Sequence, residues 1–301
     1  VHLGHRALIT RLGAFAAERG LRTAVVTFDQ HPAQVVRPES APLQLTDLDQ
    51  EIELLSSTGV DYVLVLTFDE QRAKETAEEF VQEVLVGCLN AKLVVVGADF
   101  HFGHERQGDV AFLERAGAEA GFDVLGMGLV GADGTDATDA AAKVSSTAIR
   151  KALEAGDLTR ANAMLGRPHE LRGRVEHGDN RGGPLLGFPT ANVAVPAEAQ
   201  LPADGIYACW YRRPEGEPLP AVASLGRRPT FYVDQPYRLL EVHLLDFSGD
   251  LYGETAAVQF VARLRGEVRF DGIDALIAQM RADCDDASRI LASTERAGDH
   301  A

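Results

Sequence analysis

Short, almost uninterrupted apolar runs constrain the first half of this chain more than any other feature. TAVVTF (Thr23 to Phe28), YVLVL (Tyr62 to Leu66) and LVVVG (Leu93 to Gly97) are β-rich and lack polar alternation, and FDVLGMG (Phe122 to Gly128) is a fourth such run. This is the pattern of parallel strands covered on both faces. Helical patterns lie between them. Leu8, Leu12 and Phe15 keep i, i+4, i+7 spacing before a stop at Gly20, in a helix expected from His5 or Arg6 onward. Phe80, Val84 and Cys88 repeat every four residues, and Thr46 with Asp49 resembles a capping box ahead of Ile52, Leu55 and the stop at Gly59. Alternation of this kind to about Ala155 predicts a doubly wound α/β unit on a parallel sheet.

After Gly166 the period changes. IYACWY (Ile206 to Tyr211), AVASLG (Ala221 to Gly226), RLLEVHLLDF (Arg238 to Phe247) and AAVQFVARL (Ala256 to Leu264) are separated by Gly, Pro and Asp turns. They predict an antiparallel barrel or sandwich, closed by a helix from Asp274 to about Asp285 with Leu276, Ile277 and Met280 on one face. The expected organisation is a first domain over 1–157, a linker with a short helix over 158–167, a second domain over 168–293, and a fraying polar tail over 294–301. GMGLVG (Gly126 to Gly131) matches a dinucleotide fingerprint, but the loop-like ADGTDATD follows it in place of the required helix.

A formal net charge of −16 over 301 residues argues against a general nucleic-acid or anionic-membrane surface, so any phosphate must be met locally. The three cysteines, Cys88, Cys209 and Cys284, are too few and too scattered for a disulfide framework or a zinc knuckle, and they fit a reducing cytoplasm. No apolar run approaches the roughly 18 residues of a membrane span.

Two elements of the first half suit a nucleotide. His2-Leu3-Gly4-His5 sits at a helix start, where free N–H groups favour anions; Gly4 permits close backbone approach, and two imidazoles can donate to phosphate oxygens. Two incidental surface histidines would show the same spacing. VSSTAIRKAL (Val144 to Leu153) places Ser145, Ser146 and Thr147 at another helix start with Arg150 one turn inside. An ordinary serine cap beside a solvated arginine would look alike.

With VGADFHFG (Val96 to Gly103), these motifs resemble the nucleotidyltransferase module of prokaryotic FAD synthetases. The resemblance implies ATP-phosphate binding by His2, Gly4, His5, Ser145, Ser146, Thr147 and Arg150, with Asp99 near the nucleotide and His2 and His5 assisting transfer. It implies adenylyl transfer from ATP to FMN, releasing pyrophosphate without a covalent enzyme intermediate. TFDQHPAQVV (Thr27 to Val36) resembles the family's flavin-side loop, which assigns His31 and Pro32 to flavin. His31, His101 and His104 are not spaced as a zinc site. Members of the family normally carry a strand and a G-x-F-D-G turn before V-H-x-G-H, whereas this sequence opens at Val1; impaired adenylyl transfer is therefore expected, with an inactive flavin- or nucleotide-binding module as the alternative.

HGDNRGGPLLGFPTANV (His177 to Val193) offers a glycine-rich loop through Gly178, Gly182, Gly183 and Gly187 but no G-K-[ST], so it is not a P-loop. Thr190 and Asn192 share one side of an extended segment and supply oxygen ligands suited to Mg²⁺ held with ATP phosphates. A glycine-rich hairpin with a capping Asn would read the same. Glu241 shares a strand face with Leu239, His243 and Leu245, as a general base or as the partner of Arg238 or Arg263.

GFPTANV, GRRPTF (Gly226 to Phe231), EVHLLDF and DLYG (Asp250 to Gly253) resemble a riboflavin kinase. The resemblance implies that Thr190 and Asn192 organise Mg²⁺-ATP, that the loop with Gly182 and Gly187 covers the phosphates, and that Glu241 deprotonates the 5′-hydroxyl of riboflavin; Arg228 joins the flavin set. Trp210, Phe231 and Tyr232 are candidates for stacking on the flavin ring. Together the modules resemble bifunctional riboflavin kinase/FAD synthetases, which implies riboflavin, FMN, FAD and ATP as substrates or products, with no nucleic-acid or membrane partner and at most weak self-association. Another nucleotidyltransferase, or a non-catalytic flavin-binding protein on the same scaffold, are the rival readings.

Overall fold

The computed structural model describes residues 1–128, 144–177, 187–227 and 238–298, in two compact units, Val1–Ser146 and Thr147–Ala301.

In the first unit, α1 (Leu3–Arg19) begins earlier than its apolar spacing suggests, because the side chain of His2 caps it by accepting from the His5 N–H. It ends at Gly20, whose positive φ of 65° lets its N–H close back on Ala16 and Ala17. β1 (Ala24–Phe28) pairs in parallel with β2 (Tyr62–Leu66), and β3 (Leu93–Gly97) with β4 (Asp123–Met127). Parallel strands with intervening helices are present as expected, but among the described residues they form two two-stranded sheets. Their residues are half-buried or exposed, not covered on both faces. The reason is geometric: in a two-stranded sheet every strand is an edge.

Helices α2 (Pro32–Val36), α3 (Leu48–Ser56), α4 (Ala77–Phe80) and α5 (Val110–Ala120) fill the connections. The cap of α3 is Asp47, whose carboxylate accepts from Gln50 N–H at 2.7 Å, and not Thr46. A capping box of Thr76 and Glu79 starts α4, which runs into a π-helical stretch over Val81–Cys88. The wider turn shifts the apolar face. Val81, Val84 and Leu85 are buried and Cys88 is exposed, against the four-residue repeat read from sequence. Val81 and Leu85 pack with Leu113 and Phe122 in one core cluster of the unit.

In the second unit, α6 (Ser146–Glu154) and α7 (Leu158–Leu165) precede a closed barrel of β5 (His169–Glu176), β6 (Ala191–Ala194), β7 (Gly205–Arg212), β8 (Leu219–Arg227), β9 (Arg238–Leu244) and β10 (Thr255–Arg265). The antiparallel order around it is β10-β5-β6-β9-β8-β7. Tyr207, Tyr211, Leu225, Leu240, Val242 and Phe260 are essentially inaccessible and fill its interior. The stretch expected to be a linker is packed: Leu158, Ala161, Met164 and Leu165 are buried, and the Asn162 amide joins the Phe260 carbonyl to the His169 N–H.

The last helix, α8 (Ile273–Gly298), outruns the expected segment and takes in most of the residues expected to fray. Ala287 and Leu291 near its end pack with Ala208, Leu245, Trp210 and Val222. Arg265 fastens its middle with a two-pronged bond to the buried Asp283, which Gln279 also contacts.

Candidate functional site

The first unit builds its candidate site at the start of α1. His2 is buried and folds its ring over Gly4, where an added Cβ would lie 3.1 to 3.2 Å from ring atoms of His2. The His2 and His5 rings stack at 3.8 Å with 15° between planes. Because His2 Nδ1 accepts from the His5 backbone N–H, at 3.4 Å, its proton belongs on Nε2, which becomes the donor. Desolvation lowers the His5 imidazole below its ordinary value, although the residue keeps exposed surface. It is therefore neutral near pH 7 and donates from a single nitrogen.

The same position on Gly4 lies 3.6 Å from the Val144 carbonyl, so the start of α1 and the approach to Ser145 share one locality. Ser145 and Ser146 are half-buried. Thr147 and Arg150 belong to the second unit by packing; Thr147 is exposed, and burial pushes the half-buried Arg150 guanidinium down while Glu154 opposes the shift. Asp99 lies just past the carboxyl end of β3, the ligand side of a parallel sheet, exposed, with Oδ1 near Gly97.

The histidines of the surrounding loops have local work. His31 caps α2, accepting from Ala33 N–H in a capping box with Gln34, and Pro32 takes the first turn. His101 and His104 bond through Nδ1 to the carbonyls of Asp99 and Ala73.

The second unit builds its candidate site on the outer face of the barrel, where β6 meets β9. Gly187, at a positive φ of 77°, turns the chain into Phe188, Pro189 and Thr190. Burial then alternates: Ala191 and Val193 point inward, while Thr190 and Asn192 are half-buried on the opposite face. Asn192 is the direct cross-strand partner of Glu241, and Glu241 in turn faces Ser224 on β8. Opposed residues of this kind hold their Cβ atoms about 5 Å apart. Glu176 on β5 faces Asn192 from the other side. Asn192 Oδ1 is buried with no hydrogen-bond donor, which is the environment an incoming cation would complete. Thr190 and Asn192 thus fit a hard, oxygen-ligated ion such as Mg²⁺.

His243, two residues along β9, bonds through Nδ1 to the Pro189 carbonyl at 2.8 Å and meets the Phe188 ring edge-on. Sequence reading placed it on the Glu241 face without a role. It also missed Ser224 and Glu176, because cross-strand partners depend on a register no local pattern carries. Of the expected residues, Gly182, Arg228, Phe231 and Tyr232 lie outside the described residues, as do most of the glycine loop and part of GMGLVG. Trp210 packs beneath α8, and Arg238 pairs with Asp204 and not with Glu241.

Comparison with known proteins covers both units. A family model for FAD synthetase matches residues 1–148, and one for riboflavin kinase matches 165–291. Among curated relatives, the bifunctional riboflavin kinase/FMN adenylyltransferase of Escherichia coli K12 is 40% identical over 94% of this chain and 87% of its own. Its namesake in Pseudomonas fluorescens is 41% identical over 97% and 90%, and that of Bacillus subtilis 33% identical over 98% and 91%. A solved structure titled as a macrolide-efflux protein from Streptococcus pneumoniae matches with a TM-score of 0.83 and 31% identity, over 96% of this chain and 90% of its own. That title refers to efflux; among the described residues here no helix is long and apolar enough to cross a membrane. On sequence, coverage and fold together, the chain belongs to the family of bifunctional riboflavin kinase/FMN adenylyltransferases.

Proposed function

We infer that this chain carries two successive reactions of flavin metabolism: it phosphorylates riboflavin to FMN with ATP, and it transfers the adenylyl group of a second ATP to FMN, giving FAD and pyrophosphate. The observation that carries the reading is the β6–β9 pair, in which an undonated buried oxygen of Asn192 stands opposite the carboxylate of Glu241. The kinase chemistry is assigned to residues 168–293 and adenylyl transfer to 1–157.

In the kinase unit Glu241 accepts the proton of the riboflavin 5′-hydroxyl as its oxygen attacks the γ-phosphorus in line, and ADP leaves. Thr190 and Asn192 would hold Mg²⁺, which when bound offsets charge on the phosphate oxygens. Positioning on two paired strands keeps the base and the nucleotide ligands at fixed separation. In the other unit the phosphate of FMN attacks the α-phosphorus. His2, through Nε2–H, and neutral His5 donate to phosphate oxygens, with Ser145, Ser146, Thr147, Arg150 and the backbone at Gly4 as further ligands and Asp99 beside the nucleotide. His31, Pro32 and Arg228 are assigned to flavin, and Gly182 and Gly187 to the cover over the ATP phosphates. The free thiols of Cys88, Cys209 and Cys284 support a cytoplasmic setting.

The test is incubation of the purified chain with riboflavin, ATP and Mg²⁺, with flavins separated over time. FMN followed by FAD is expected, in place of the impaired adenylyl transfer expected from the sequence, because the FAD synthetase model matches residues 1–148. FMN alone would restrict the activity to the kinase, and neither product from folded protein would overturn the reading.

A further inference from the structure

Resting on the kinase reading above, we propose that His243 is a positioning residue of that site, which holds Thr190 in register with Glu241 through the Pro189 carbonyl. The ladder between β6 and β9 pairs Val193 with Leu240, Asn192 with Glu241 and Ala191 with Val242, and there it stops. One further step would set Thr190 opposite His243. The chain cannot continue that ladder normally, since Pro189 has no N–H to donate and Gly187, at positive φ, turns the backbone just before.

The imidazole of His243 takes over the missing connection. Its Nδ1 lies 2.8 Å from the Pro189 carbonyl, an acceptor only, so Nδ1 carries the proton. The Phe188 ring meets the imidazole edge-on at 5.2 Å and 71°. A side chain from the strand that carries the base therefore clamps the residue preceding Thr190. His243 and Glu241 are two apart on one strand face, so movement of the Phe188–Thr190 segment away from β9 would change the distance from nucleotide ligand to base. His243 touches the segment and not the reacting atoms, and its contribution is alignment.

The test compares the full chain with His243→Leu, which keeps the volume but loses the donor, and His243→Asn, whose amide N–H replaces Nδ1–H. FMN formation is followed with ATP and riboflavin varied separately at saturating Mg²⁺. For His243→Leu we expect KM for ATP to rise about tenfold and kcat to fall about tenfold, with KM for riboflavin within about twofold. His243→Asn should recover most of both losses, and Phe188→Leu, which leaves the hydrogen bond in place, should stay within about threefold of the parent chain.

Unchanged constants in His243→Leu, or equal losses in His243→Asn, would overturn the inference. So would a Phe188→Leu variant as impaired as His243→Leu, since packing and not the bond would then be responsible. Should His243→Leu fail to fold, His243→Ala takes its place in the comparison. Absence of FMN from the parent chain would remove the kinase reading and this inference with it, whereas an active parent with unaffected variants would remove only the inference.

Discussion

Asn192 and Glu241 face each other across the β6–β9 ladder, the first with a buried oxygen lacking a donor and the second with an acceptor carboxylate. The two acceptor oxygens cannot hydrogen-bond each other without a proton or a cation between them. Glu241→Gln keeps the shape and removes the base. FMN formation should fall by about 10²- to 10⁴-fold in kcat while KM for ATP stays within about twofold. Steady-state kinetics with chromatographic detection of flavins checks this, and parental turnover in the variant would exclude Glu241 as the base.

Asn192→Ala removes an acceptor that has no donor to lose, so the stability of the ligand-free protein should change by less than about 1 kcal/mol. Thermal stabilisation by Mg²⁺ with ATP should shrink in the kinase unit. Melting curves followed by Trp210 fluorescence separate the two effects, since Trp210 is the chain's single tryptophan and lies in that unit.

At Gly4 an added methyl would stand 3.1 Å from the His2 ring, closer than ordinary contact. Gly4→Ala should displace that imidazole and slow FAD formation by about tenfold while FMN formation is unchanged. Assay of the two products from one incubation provides its own control. Equal loss of both would mean that the substitution disturbs more than the α1 start.

Arg265→Ala would strand the buried carboxylate of Asp283, which now receives two prongs of the guanidinium, and loosen α8 from the barrel. A loss of about 3 kcal/mol in the second unit is expected. Urea unfolding read by Trp210 fluorescence measures it. Arg265→Lys should recover only part, for lack of the forked geometry.

His169 makes stability depend on pH. Burial takes its imidazole down to about 4; the hydrogen bond to the Gln200 carbonyl opposes that shift and the charge of Arg167 adds to it. Unfolding returns it to an ordinary value near 6.5, so between those values the unfolded state binds more protons. The resulting stabilisation is complete above about pH 6.5 and is lost as pH falls towards 4, by about 3 kcal/mol in all. His169→Gln, which keeps a donor for Gln200, should flatten that dependence in urea titrations across the window. An unchanged slope would place the acid sensitivity elsewhere.

The amino-acid sequence by itself determined most strand runs of both halves, the change from a parallel α/β pattern to antiparallel strands, and the residue types at each site; it left barrel and sandwich open and gave no sign of β5. These are local matters: side-chain period and the backbone demands of Gly and Pro act within a few residues. YVLVL and LVVVG therefore match β2 and β3 residue for residue. Tertiary structure alone decided the partners. That Asn192 faces Glu241, that Glu241 faces Ser224, and that His243 reaches back to Pro189 depend on how strands distant in sequence align around a closed barrel. The same holds for α8, whose Ala287 and Leu291 pack on the barrel beyond the segment that the sequence pattern marks, and for the His2 ring, which folds over a glycine because no Cβ is there to stop it. Register and packing are properties of the assembled fold, since one residue of slip would reverse every side chain on a strand.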